Sequence, residues 1–320
     1  MRNWKKTKLL SLNHLFYGGV PQGSVLGPIL FILFINDLKG NEYCPLCKYA
    51  DDIEMHTPSI DSTTQSLMNE ALSYVANWSA VWQLPIAPEK CSVFHIGKQN
   101  LNFDYFLMPP ASLNHVNPFK SLGVWFNCDL KPTINCENIV LSAFMRSALL
   151  KKVFCSGDRS TLVWAFTVFV RPILEYASAV WSPTQLGNIT LVESVQRRFT
   201  KSLPGMNKFS YPDRLNMLNL ESLERRRLII DLCLVYSLLH GLLDFDYARF
   251  FELSTQGRTR GHSWKLVSGP ARLDVRRAFF ANRVVKPWNA LPSNCVDAAS
   301  LSIFKSKLSC LKFSEFLIFP

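Results

Sequence analysis

The pattern of apolar and polar positions changes texture once along this 320-residue chain. Before about residue 130, short apolar runs broken by Gly, Pro and Asn-Asp pairs surround one long helical repeat. After it, helical patterns follow one another. Residues 7–17 read as a strand, and Gly18-Gly19-Val20-Pro21-Gln22-Gly23 as a turn whose low bulk lets backbone approach a ligand. The most apolar run, residues 25–35, predicts a helix buried on most sides, capped by Ser24, with Pro28 in its first turn and an end near Gly40. Residues 43–58 then read as two short strands with Asp51 and Asp52 at the connecting turn.

Asp61-Ser62 is a capping signal for a second helix. Its apolar positions Leu67, Ala71, Val75, Trp78 and Trp82 recur at helical spacing as far as Leu84, before Pro85 and Pro88 stop it. Residues 90–97 and 119–126 alternate as strands do. The resulting order of helix, strand pair, helix, strand, strand is an α+β arrangement. Beyond residue 130 the patterns predict helices over 136–155, 158–181 with a break at Pro172, 189–203, 221–240 and, more briefly, within 272–308. We place the boundary near 130, giving domains 1–130 and 131–320.

Composition narrows the partners. A hydrophobic fraction of 48% with 23 Phe supplies a core and excludes general disorder. The net charge of +11 favours a polyanionic partner. Nine Lys or Arg fall between 249 and 286 against Glu252 and Asp274, and Arg197, Arg198 and Lys201 add a further group. Interleaved with Phe250, Phe251, Trp264, Phe279 and Phe280, they read either as a groove for a phosphate backbone or as a solvated basic face. The nine cysteines are scattered and odd in number, so reduced thiols are expected. The start lacks a secretory apolar run, and the 25–35 segment is shorter than the roughly 20 residues of a membrane span, so an intracellular protein, nuclear or cytoplasmic, without a membrane partner is expected. The six histidines show no metal-ligand spacing.

Paired acids at a rigid turn suit a hard, oxygen-loving cation. On its own that pattern is common in ordinary turns; its neighbours sharpen it. The run Gly19-Val20-Pro21-Gln22-Gly23-Ser24-Val25-Leu26-Gly27-Pro28, then Phe34-Ile35-Asn36-Asp37-Leu38, then Tyr49-Ala50-Asp51-Asp52 resembles the reverse transcriptases of non-LTR retrotransposons. Pro88-Glu89-Lys90-Cys91, Phe119-Lys120-Ser121-Leu122-Gly123-Val124, Arg171-Pro172-Ile173-Leu174-Glu175-Tyr176 and Trp288-Asn289-Ala290-Leu291-Pro292 are similar to later segments of that family.

The resemblance implies a partial palm, an antiparallel sheet with packed helices, followed by a helical thumb-like region. It implies RNA-directed DNA polymerase chemistry on an RNA template, a DNA primer and deoxynucleoside triphosphates, with no protein partner evident. Asp51 and Asp52 would be catalytic and would hold Mg2+, and Lys90 would neutralise or protonate the leaving pyrophosphate. Tyr49, Pro21, Gln22 and Gly23 would border template and nucleotide, and Gly123 would let a turn approach the primer. Such chemistry uses two metal ions roughly 3.5–4 Å apart. The family draws a further metal-binding Asp from a strand well upstream of the Pro-Gln-Gly segment. Only 20 residues precede Pro21 and none is Asp or Glu, so that strand, the fingers and any endonuclease are expected to be missing. The expectation is therefore a polymerase portion inactive as this chain. The alternative is a non-catalytic remnant that binds nucleic acid through its basic helical part.

Overall fold

A computed structural model describes residues 25–58, 61–154, 158–254 and 261–319. The expected strand over 7–17 and the Pro21-Gln22-Gly23 turn lie outside them, as does the Ser24 cap. The architecture is α+β: small sheets among helices, followed by a predominantly helical part. By contacts the chain divides into two compact units, one of residues up to His95 with Gln99–Val116, the other of Ile96–Lys98 and everything from Asn117.

In the first unit α1 (Gly27–Ile35) leads into the antiparallel hairpin β1 (Leu46–Tyr49) and β2 (Asp52–Met55), followed by α2 (Ser62–Val81). The expected cap of α2 is present. The Asp61 carboxylate accepts from Thr64 N at 2.9 Å, and the Thr64 hydroxyl reciprocates to Asp61 N. Ala71, Val75 and Trp78 are buried as the spacing predicts. Met68 replaces Leu67 as the buried residue of its turn, and Trp82 ends up on the surface, stacked edge-on against Phe34. One small core joins Ile35, Leu38, Val75 and Trp78 with Leu46, Ile53 and Met55 of the hairpin.

Two expectations fail in this unit. Among the described residues, α2 and the hairpin cover only one side of α1, so Ile29, Leu30, Ile32 and Leu33 remain exposed rather than buried. The strand expected over 90–97 shrinks to β3 (Ser92–Val93), paired in parallel with β4 (Asn114–His115). Pro88 starts a 3-10 turn that carries Lys90, and Gly97, at φ +92°, turns the chain away.

The second unit opens with the hairpin β5 (Phe119–Ser121) and β6 (Val124–Phe126), then α3 (Thr133–Val153) and α4 (Arg159–Phe169). The predicted break at Pro172 is real. Pro172 sits in the first turn of α5 (Arg171–Glu175), where its missing N–H costs little, and left-handed Ala177 separates α6 (Ser178–Trp181). There follow α7 (Leu186–Lys201), α8 (Tyr211–Leu218) and α9 (Leu223–Leu239). Helix α8, outside the expected helices, carries local end signals: Ser210 caps it, Pro212 lies in its first turn and left-handed Asn219 closes it. The remainder is short: α10 (Asp274–Ala278), α11 (Phe280–Arg283), α12 (Val285–Asn289), α13 (Ser293–Val296) and α14 (Leu301–Ser309).

Two cores hold this unit. One packs α3, α4 and α5 on α7 around Phe166, Leu174 and Phe199. The other packs α9 on α11 to α14 around Leu232, Trp288 and Phe304. The eight described cysteines are free thiols. Among the described residues no helix is long and apolar enough to cross a membrane.

Candidate functional site

The carboxylate turn is built from its strands upward. Tyr49 pairs with Asp52, so the loop between them is only Ala50-Asp51, and Ala50 takes a left-handed φ of +52° to close it. Side chains alternate across the ribbon. Leu46, Lys48, Ile53 and Met55 share the face toward the small core, while Tyr49 and Asp52 share the opposite face, with Asp51 at the tip. Asp51, Asp52 and Tyr49 are all exposed. The turn thus presents two carboxylates and a phenol ring to solvent on a short, well-registered hairpin.

Lys48 fixes that hairpin to α1. Its ammonium donates to the carbonyls of Ile35 at 2.9 Å, Asn36 at 3.3 Å and Leu38 at 2.9 Å. These are carbonyls at and just beyond the C-terminus of α1, where helical partners run out and a cation complements the dipole. Lys48 precedes the acid pair by three residues, and sequence reasoning gave it no role. Its apolar neighbours in the strand concealed a side chain that reaches back across the chain. Replacing it with Met should cost about 1.5–3 kcal/mol, the range for hydrogen bonds to a charged group. Amide hydrogen exchange should reveal the loss as faster exchange in α1 and β1.

The other expected site residues are dispersed. Lys90 is exposed in its 3-10 turn and makes no ion pair with Asp51 or Asp52. Gly123 lies in the second unit, in the two-residue turn between β5 and β6. There Leu122 and Gly123 both have positive φ, the mirror-image turn favoured in hairpins. A β-carbon on Gly123 would lie 3.3 Å from the Tyr176 ring, whose hydroxyl donates to Leu122 O at 3.0 Å. In this structure the close approach that glycine permits is therefore to Tyr176. The fold also gathers His95, His115 and Asp104, which the sequence spacing did not associate. The His rings are 4.7 Å apart, His115 meets Asp104 at 3.1 Å, and burial lowers the His95 pKa.

Magnesium takes six oxygen ligands in near-octahedral geometry. Among the described residues no three His, Cys, Asp or Glu side chains lie close enough together to hold a metal ion. Residues 1–24 contain no Asp or Glu. The two carboxylates at the hairpin would by themselves supply only part of the ligand set that Mg2+ takes.

The basic residues divide between structural pairs and free surface. On α9, Arg225 pairs with Glu221, and Arg226 clamps Glu175 with both Nε and Nη2. Arg227 is buried against Trp181, with Glu193 and Asp231 supplying its nearby negative charge. Arg283 holds Asp231 through two nitrogens, yet burial still raises the Asp231 pKa to about 6. Arg197 lies over Tyr211 and Phe319. Of the basic residues expected to line a groove, Arg283 is thus committed to a buried ion pair and Arg197 to two aromatic rings.

Comparison with known proteins settles the kinship. A family model described as reverse transcriptase (RNA-dependent DNA polymerase) matches residues 7–126, ending on the last residue of β6. The RNA-directed DNA polymerase from mobile element jockey of Drosophila funebris is 26% identical over 202 residues, 58% of this chain and 22% of that protein. The chain is related to the reverse transcriptases of non-LTR retrotransposons. The probable RNA-directed DNA polymerase from transposon BS of Drosophila melanogaster is 24% identical over 218 residues, covering 60% of this chain and 23% of that protein. A probable polymerase from transposon X-element of the same species is 21% identical over 218 residues. The chain spans between a fifth and a quarter of the length of these reverse-transcriptase relatives. No solved structure matches it.

Proposed function

We propose that this chain is the palm-and-thumb portion of an RNA-directed DNA polymerase of the non-LTR type, with Asp51 and Asp52 as its carboxylate turn. The observation that supports this reading is the hairpin itself: Tyr49-Ala50-Asp51-Asp52 closes a two-residue turn that exposes both acids on a well-registered ribbon. In nucleotidyl transfer to a primer 3′-hydroxyl, bound Mg2+ supplies Lewis acidity. The part assigned to this chain is to hold carboxylates at the turn, to place the Tyr49 ring beside them and to offer Lys90 as a cation for the leaving group. Pro21, Gln22 and Gly23 would border the nucleotide and Gly123 the primer. With a partial donor set, the chain by itself is expected not to polymerise.

Two measurements test this. Titration with Mn2+ should broaden the amide resonances of Asp51 and Asp52 selectively, and the Asp51→Ala variant should lose that broadening. Primer extension on an RNA template with Mg2+ should give no product above the Asp51→Ala control. Extension that is robust in the wild type and lost in Asp51→Ala would keep the hairpin in the chemistry but overturn the isolated chain's inactivity. Extension that survives Asp51→Ala would remove the hairpin from the chemistry altogether.

A further inference from the structure

The arginines of α9 and those around α10 are used differently by the fold. Arg225, Arg226 and Arg283 are engaged with carboxylates, and Arg227 is buried beside two more. Around α10 the position is reversed. Arg272 and Arg276 are exposed and have no carboxylate partner among the described residues, and Arg277 meets only the exposed Asp274, at 3.3 Å. An ion pair this open contributes little. Asp274 is also the only acid between residues 272 and 286.

The same turn of helix exposes apolar groups that a solvated basic face does not need. Leu273 is 68% exposed and Phe279 is 41% exposed, although the adjacent Phe280 is buried in the core. The Arg276 guanidinium lies over the Phe279 ring, 5.1 Å from its centroid, so a cation and an exposed aromatic ring stand together at the surface. Aromatic faces stack on unpaired bases, and nearby arginines neutralise the phosphates that link them. A duplex keeps its base faces stacked on one another, so this combination suits an open strand.

We propose that Arg272, Leu273, Arg276 and Phe279 form a binding surface for single-stranded nucleic acid. It belongs to the second unit and uses none of the carboxylates of the hairpin turn. Phe279 is the stacking platform, with Leu273 beside it as apolar contact surface, and Arg272 and Arg276 bind phosphate. Nothing in the surface requires a metal, so binding persists in a chelator.

The test is fluorescence anisotropy of the full chain with a labelled 15-nucleotide oligouridylate, the matching oligothymidylate, a DNA duplex and polyglutamate, all in EDTA at several salt concentrations. The expected result is tighter binding to both single strands than to duplex or polyglutamate. Phe279→Ala should weaken strand binding by about tenfold, the scale of losing one base stack. Phe279→Leu should weaken it similarly, because bulk without a π face does not replace the ring. The double variant Arg272→Gln with Arg276→Gln should reduce the salt slope by about 1.4, or about 0.7 per phosphate contact on a single strand. All four side chains are exposed, so the variants should keep the wild-type melting curve. Unchanged affinity in both the Phe279 and arginine variants would overturn the proposal. So would polyglutamate binding as tightly as the strands, which would make this a surface for acidic peptides. Full rescue by Phe279→Leu would likewise overturn the stacking role.

Discussion

Replacing Glu193 with alanine is expected to destabilise the helical unit by about 3–5 kcal/mol, the cost of removing one partner from a buried charged network. Glu193 lies on α7 and is fully buried. Its carboxylate accepts from the Tyr211 hydroxyl, from Leu223 N at 3.1 Å and from Glu224 N at 3.3 Å. The last two are N–H groups in the first turn of α9, which have no helical acceptor of their own. One side chain therefore ties α7 to α8 and to the start of α9, and it supplies negative charge to the buried Arg227. Alanine would strand all of these groups in a site closed to water. Urea unfolding followed by circular dichroism should show the loss. Glu193→Gln, which keeps an acceptor oxygen, should cost less.

The same residue carries a pH signature. Burial raises the Glu193 pKa above the ordinary carboxylate value, although its hydrogen bonds pull the other way. A raised folded pKa gives stability that is present below the unfolded value and lost as pH rises through the folded one. Wild-type stability should therefore fall with rising pH across that interval, and Glu193→Gln should flatten the fall.

Trp288→Ala is expected to cost a comparable 3–5 kcal/mol by opening a cavity at the centre of the other core. For a unit of this size that corresponds to a melting point lower by roughly 6–20 °C, readable by calorimetry. Trp288 is fully buried, with Phe304 and His262 packed about its ring, and its indole N–H donates to Trp264 O at 2.7 Å. Next to it the Asn289 amide exchanges two hydrogen bonds with the Leu266 backbone, at 2.9 and 2.8 Å. The Trp288-Asn289 pair thus fastens the segment around 264–266 onto α12. Trp288→Phe would retain part of the packing and leave only the Trp264 carbonyl without its donor, so it should lie between the wild type and alanine.

How far the fold could be read ahead of the structure differs from element to element. Helix α2 was legible because its cap, its apolar spacing and its terminating prolines are all local. The hairpin around Asp51 was legible because its two apolar strands bracket a polar turn. The break at Pro172 follows from the chemistry of one residue. The covering of α1 could not be read, because an apolar run states what would gain from burial and not what arrives to bury it. The 90–97 strand was over-read, since alternation says nothing about whether a partner strand is in reach.

For the candidate site the division is similar. The sequence by itself determined the kinship, the acid pair and the turn that presents it, since these depend on residue order and short-range backbone preference. Only the tertiary structure decided what each charge does. Lys48 became the ammonium that holds α1, Arg225 and Arg226 became paired and Arg227 buried, and Arg272 and Arg276 stayed exposed, without a carboxylate partner among the described residues. The reason is physical: a charge in a sequence has a sign, but its energy depends on burial and on partners often far along the chain, and folding alone assigns those.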